Sequence, residues 1–120
     1  MSNSFKTFLK HTAKDFHNHS VNPPVVRAST IIFKSMNDIR KTQNKYKKDP
    51  RGGYFDYGRQ GTSTTHILQK ILTKLEESYH VFLTPTGFGS VFLAIFSIVR
   101  PGDEIIVADP VYNPTRVLTQ

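Results

Sequence analysis

Three short stretches of this 120-residue chain carry residue types whose spacing could do chemistry. The first is Tyr57-Gly58-Arg59, followed by Gly61 and four hydroxyl residues from Thr62 to Thr65. A phenol and a guanidinium two positions apart, on an extended or turning backbone, both reach one anion. Arginine's planar fork suits a phosphate. A surface turn leading into a helix accounts for the same residues. The second stretch is Pro85-Thr86-Gly87-Phe88-Gly89-Ser90. Glycines let the backbone approach a ligand closely, and the first amides of a helix point outward unpaired. The helix dipole then favours an anion, a phosphate above all. The stretch is neither the Walker pattern nor G-x-G-x-x-G, so a plain tight turn stays open beside the phosphate reading. The third is Asp109-Pro110-Val111-Tyr112, at the carboxyl end of an apolar run. Ligands of open α/β sheets bind at that edge, which would put Asp109 and Tyr112 near a ligand held at Gly87. A turn capped by Asp109, with Tyr112 packed on the fold, is the other reading.

The histidines add little. His11, Asp15, His17 and His19 fall within nine residues, and His11 and Asp15 share a helical face. They lie in a polar segment without an evident second ring of partners, so no metal site is assigned to them. His66 reads as a helix-surface residue and His80 as the start of a strand. No serine, histidine and acid spacing matches a hydrolase elbow.

The elements that must position these residues are uneven along the chain. Residues 1–61 read as an extended N-terminal arm and loop, polar, basic and weakly periodic. A short helix is expected at 5–14, with Phe5, Phe8 and Leu9 on one face. Pro23 and Pro24 enforce an extended backbone, and Ile31, Ile32 and Phe33 suggest a short strand or a buried extended segment. So long a segment with so little regular structure needs a partner surface. From residue 62 the elements alternate. Ile67, Leu68, Ile71, Leu72 and Leu75 recur at helical spacing and predict an amphipathic helix over about 63–78, capped by Thr62 or Ser63. A strand is expected at 80–84, a buried helix at 90–99, a turn at Arg100-Pro101-Gly102-Asp103-Glu104 and a buried parallel strand at 105–108. Asn113 and Pro114 read as the cap and first position of a last helix. That order is an α/β unit with a parallel sheet. The chain stops about two turns into that helix, which suggests a piece of a larger domain.

Composition narrows the class. The net charge is +7 and the pI near 9.8, a balance that favours polyanions or small phosphorylated ligands. Residues 40–51 carry six basic side chains against one acid. They read as a solvated loop, with nucleic-acid contact as the sharper alternative. Only Tyr46 and Tyr54 lie nearby to stack on bases, which leaves that alternative poorly supported. Cysteine is absent, so disulfides and thiolate metal sites are excluded, which fits a reducing cytosol. The apolar runs are too short to span a membrane, and the N-terminus lacks a secretory core. A cytoplasmic location is therefore expected.

Taken together, Val21 to Phe33, Tyr57 to Thr65, Leu75-Glu76-Glu77, Thr84 to Ser90 and Val99 to Arg116 come in an order that resembles the Cys/Met metabolism enzymes that depend on pyridoxal 5′-phosphate. The likeness runs from about residue 20 to the end, and its motifs are specific in combination. It implies the N-terminal part of a fold type I, PLP-dependent transferase-like α/β domain: an arm, then alternating helices and parallel strands. It also implies a homo-oligomer. Tyr57 and Arg59 match residues that bind the cofactor phosphate of a neighbouring subunit, which would also explain an arm that needs a partner surface. Gly87 and Phe88 match the amides that bind the same phosphate at a helix start. Tyr112 matches the tyrosine that stacks on the pyridine ring and takes part in substrate activation. The implied activity is cleavage of the carbon–sulfur bond of an amino-acid substrate, cystathionine, to homocysteine, pyruvate and ammonia. γ-Elimination and γ-replacement within the family stay open beside it.

The chain also departs from the family pattern. Thr62, Ser63 and Thr64 stand where many members carry Asn-Pro-Thr, and Phe88 stands where methionine, leucine or alanine is common. In the family the lysine joined covalently to the cofactor, the aspartate on its ring nitrogen and the arginine on the substrate carboxylate lie well beyond position 120. None of the ten lysines here has the strand-end context of that lysine. The chain alone is thus expected not to catalyse the elimination.

Overall fold

The computed structural model describes residues 22–120. The helix expected at 5–14 and the cluster of His11, Asp15, His17 and His19 lie outside the described residues. The chain divides into two compact units, one running through Val81 and one from Phe82 to Gln120. Composition changes at 61/62, but packing divides at 81/82, because the arm is tied to the helix that follows it.

In the first unit, α1 spans Met36–Lys48. Ser35 caps it: its hydroxyl accepts from the Asp38 amide at 3.2 Å and donates to the Asp38 carboxylate at 2.9 Å. Asp38 in the first turn and Lys45, Lys47 and Lys48 in the last both oppose the helix dipole favourably. The basic run expected to be a loop over 40–51 is therefore mostly helix. Lysine, arginine and glutamine are good helix formers, and nothing breaks the run until Asp49-Pro50. Lys45 reaches over the Tyr54 ring, 5.5 Å from its centroid.

The arm then meets α2, Ser63–Leu75. The Thr64 hydroxyl accepts from the Val26 amide and donates to the Pro24 carbonyl, each at 2.8 Å. Pro24 has no amide of its own, so one threonine satisfies the polar backbone on either side of Pro24-Val25. Beyond it lies a single antiparallel bridge, Thr30 to Tyr57, with the Gly58 amide donating to the Ser29 carbonyl at 2.7 Å. The strand expected at Ile31 to Phe33 does not form, and Ile32 is 94% exposed. One bridge without a neighbouring ladder does not extend into a strand.

At the start of α2, the Thr65 hydroxyl accepts from the Thr62 amide and donates to the Thr62 carbonyl, each at 2.8 Å. The helix ends at Leu75 rather than 78 because Glu77 turns left-handed, with φ 49°, and Ser78 then donates to the Thr73 carbonyl at 3.0 Å. Gln69 donates to the Val81 carbonyl at 3.0 Å and holds the chain against the helix. Ile67, 6% exposed, is the one buried apolar residue among the described residues.

The second unit holds α3, Gly87–Phe96, and α4, Asn113–Leu118, which pack on one another. The apolar helix expected over 90–99 begins three residues earlier and is not buried. Phe92 and Phe96 stack on each other, 4.4 Å between centroids, and stay exposed. Gly102, with φ 97°, follows Pro101 in the expected turn, where Asp103 accepts from the Arg100 amide at 2.8 Å. The segments expected as strands at 80–84 and 105–108 carry no ladder, and Ile106 is fully exposed. A strand exists only through pairing, and the described residues offer these two no partner. Without a sheet, α3 has no apolar face to pack against. No helix among the described residues is long and apolar enough to cross a membrane.

Candidate functional site

Tyr57 and Arg59 stand on one short 3-10 turn, Gly58–Gln60. The turn is held from both sides. Gln60 accepts from the Asp56 amide at 3.2 Å, and Gln43 of α1 donates to the Asp56 carboxylate at 2.7 Å. Gly58 is required between them, because the Ala28 carbonyl oxygen occupies the place a Cβ would take. The Arg59 guanidinium lies over the Tyr57 ring, 5.6 Å from its centroid, and no ion pair engages it among the described residues. The phenol and the guanidinium of the sequence motif are thus brought together, on the surface, with Tyr57 half exposed.

Gly87 and Phe88 open α3 in the second unit. An α-helix leaves its first four amides without intrahelical partners. Here the Ser90 amide makes the first intrahelical bond, to the Thr86 carbonyl at 3.2 Å, and the Thr86 hydroxyl accepts from the Gly89 amide at 3.0 Å. Ahead of Gly89, the amides of Gly87 and Phe88 have no hydrogen-bond partner among the described residues. Nothing lies within 4 Å of where a Gly87 Cβ would sit, so the space beside that position is open. Thr84 stiffens the turn: its hydroxyl donates to the Thr86 carbonyl at 2.8 Å and shares a 2.5 Å hydrogen bond with the Ser90 hydroxyl. The helix thus starts at Gly87, capped by Thr86, and not at Ser90 as the apolar run suggests. The available signal was a threonine directly before a glycine-led helix start.

Asp109 and Tyr112 lie just before α4. The Asp109 carboxylate pairs with Arg116 at 3.1 Å, and the same guanidinium donates to the Asp109 carbonyl. Asp109 therefore fixes the loop to α4. Tyr112, rather than Asn113, is the capping residue: its carbonyl accepts from Thr115 at 2.9 Å and Arg116 at 3.3 Å. Tyr112 is 64% exposed. Tyr57 and Arg59 belong to one unit; Gly87 and Phe88 at the start of α3, and Tyr112 before α4, belong to the other.

Unpaired amides at a helix start are donors of the kind an anion takes, and comparison with known proteins shows the family. Residues 6–120 match the family model described as Cys/Met metabolism PLP-dependent enzyme. The chain belongs to this family. It is similar to the cystathionine β-lyase of Haemophilus influenzae, 34% identical over 86% of this chain and 25% of that enzyme. The cystathionine β-lyase of Bordetella avium is 32% identical over 82% of the chain and 24% of its own length. An L-alanine/L-glutamate racemase of Wolbachia pipientis is 26% identical over 92% of the chain and 29% of its own length. The chain therefore spans about a quarter of the length of the relatives it matches. No solved structure gives a significant match. The family's cofactor is pyridoxal 5′-phosphate, and the amides of Gly87 and Phe88, unpaired among the described residues, are donors of the kind a phosphate takes.

Proposed function

We propose that these residues form the N-terminal part of a carbon–sulfur lyase that cleaves cystathionine to homocysteine, pyruvate and ammonia. The observation that carries the reading is the pair of unclaimed amides at the start of α3. Gly87 and Phe88 would hold two phosphate oxygens there, reinforced by the dipole of a ten-residue helix. Only the Phe88 amide is used, so the larger side chain at that position does not remove the contact. The Tyr112 ring would lie along the pyridine face, and its phenol would hold or pass a proton beside the substrate amine. Tyr57 and Arg59 would complete the phosphate cradle of a neighbouring subunit in a homo-oligomer, through a phenolic donor and a bidentate guanidinium. The cofactor, when bound, supplies the electron sink that stabilises charge at the substrate α-carbon.

The lysine, aspartate and arginine that complete this chemistry in the family find no match among these 120 residues. By itself the chain is proposed to bind without turning over. The similarity to both lyases and a racemase fits a segment that holds the cofactor more than it selects the reaction. Reaction register, β against γ, would then be set outside it.

A chimera tests the reading: this chain in place of the matching N-terminal quarter of a cystathionine β-lyase. Pyruvate release from cystathionine by the chimera is expected. A chimera that folds and holds cofactor, yet releases no pyruvate, would contradict the assignment.

A further inference from the structure

Beyond the cofactor motifs, one cavity in the first unit has no role in the family reading. An open cleft of about 560 Å³ lies along α2 and is bounded by the turn after α1 and by residues 78–80. The polar positions 66, 69, 70, 73 and 74 fall on one side of α2, and Glu77 follows just past its end. The apolar stripe on the opposite side is the helix's evident sequence signal, and beside it His66 reads as an ordinary surface residue.

We propose that this cleft binds a small anion bearing a phosphate or carboxylate group. Its lining is rich in donors. Lys70, Lys74 and Arg51 bring fixed positive charge, and Thr73 and Ser78 bring hydroxyls. The carboxylates present are Asp49 and Glu77, and Asp49 already accepts from the Arg51 amide at 3.1 Å. Neither carboxylate forms an ion pair with Lys70, Lys74 or Arg51 among the described residues. Arg51 is held in place: it lies over the Tyr79 ring, 4.0 Å from the centroid, and donates to the Tyr79 carbonyl at 3.4 Å. The Thr73 hydroxyl oxygen is buried without a hydrogen-bond partner. A buried polar atom left unpaired is costly, and rotation of the Thr73 side chain toward the cleft would let an entering acceptor relieve it.

His66 senses the same field. Its ring packs edge-on against Phe55, 6.0 Å between centroids, and lies against Gly53. Burial pushes its pKa down, the charges of Lys70 and His80 push it further, and Asp49 opposes them. An anion seated beside Lys70 would favour the protonated ring and raise that pKa.

The proposal is independent of the cofactor reading and is tested apart from it. Inorganic phosphate is titrated into the chain near neutral pH while the His66 ring resonances are followed by NMR, with sodium chloride at matched ionic strength as control. A saturable displacement toward the protonated form is expected with phosphate and not with chloride. The K70Q/K74Q double variant alters only exposed positions, and about a tenfold weaker phosphate response is expected from it. Thr73→Val, close to isosteric, should weaken the response severalfold. Equal displacement by chloride, no displacement at all, or a response unchanged in both variants would overturn the site.

Discussion

Arg59 sits 5.6 Å from the Tyr57 ring centroid on a turn pinned by Gln43, Asp56 and Gln60, so it is offered to a ligand already oriented. In an assembled enzyme carrying this chain, Arg59→Ala should therefore weaken retention of pyridoxal phosphate. Removing a charged hydrogen-bonding partner costs about 1.5–3 kcal/mol, or roughly tenfold and more in affinity. Dialysis followed by cofactor absorbance reads this directly, and unchanged retention would remove the phosphate role. His66 makes a different prediction. Its folded-state pKa lies below the ordinary value near 6.5, so between the two the unfolded chain binds more protons than the folded one. Stability is then full above about 6.5 and declines as the pH falls from there toward the folded pKa. Denaturation midpoints measured across that window should show the decline in the native chain and a flatter profile in His66→Gln. Tyr57, Arg59, Gly87, Phe88 and Tyr112 stand out in the sequence as candidates, because each belongs to a short motif of distinctive types. His66 does not, because its setting comes from Gly53 and Phe55, more than ten positions upstream.

The helices were legible where a local signal existed. The apolar stripe of Ile67, Leu68, Ile71, Leu72 and Leu75 predicted α2, and its end was missed only because Glu77 takes a left-handed conformation that favours glycine. Glu77→Gly should accordingly stabilise the fold by about 0.5–1 kcal/mol, less than the relieved strain because the unfolded chain also gains freedom. Chemical denaturation gives the sign. α1 was misread because charge was taken as a mark of a loop, although its lysines and arginine favour helix and its end charges complement the dipole. At α3 the Thr86 cap satisfies the Gly89 amide and leaves those of Gly87 and Phe88 unpaired among the described residues. Thr86→Ala should cost about 1 kcal/mol of stability and loosen phosphate binding at the same helix end. A variant that lost stability with phosphate affinity intact would separate the cap from the cradle.

At the scale of the whole molecule, the sequence named elements whose partners it does not contain among the described residues. The segments 80–84 and 105–108 have strand-like composition, but pairing is a property of two segments, and no ladder forms around either. Phe82, Phe92, Phe96, Ile98 and Ile106 consequently stay exposed, more apolar surface than a self-sufficient domain leaves in water. Family membership was legible because ordered motifs survive where tertiary context is thin. The central claim is that the start of α3 receives the cofactor phosphate through two amides. The most direct test is a backbone amide NMR titration of the chain with pyridoxal phosphate. Saturable shifts of the Gly87 and Phe88 amides are predicted. If those two amides stay still while the ligand binds elsewhere or not at all, the phosphate cradle proposed here is contradicted.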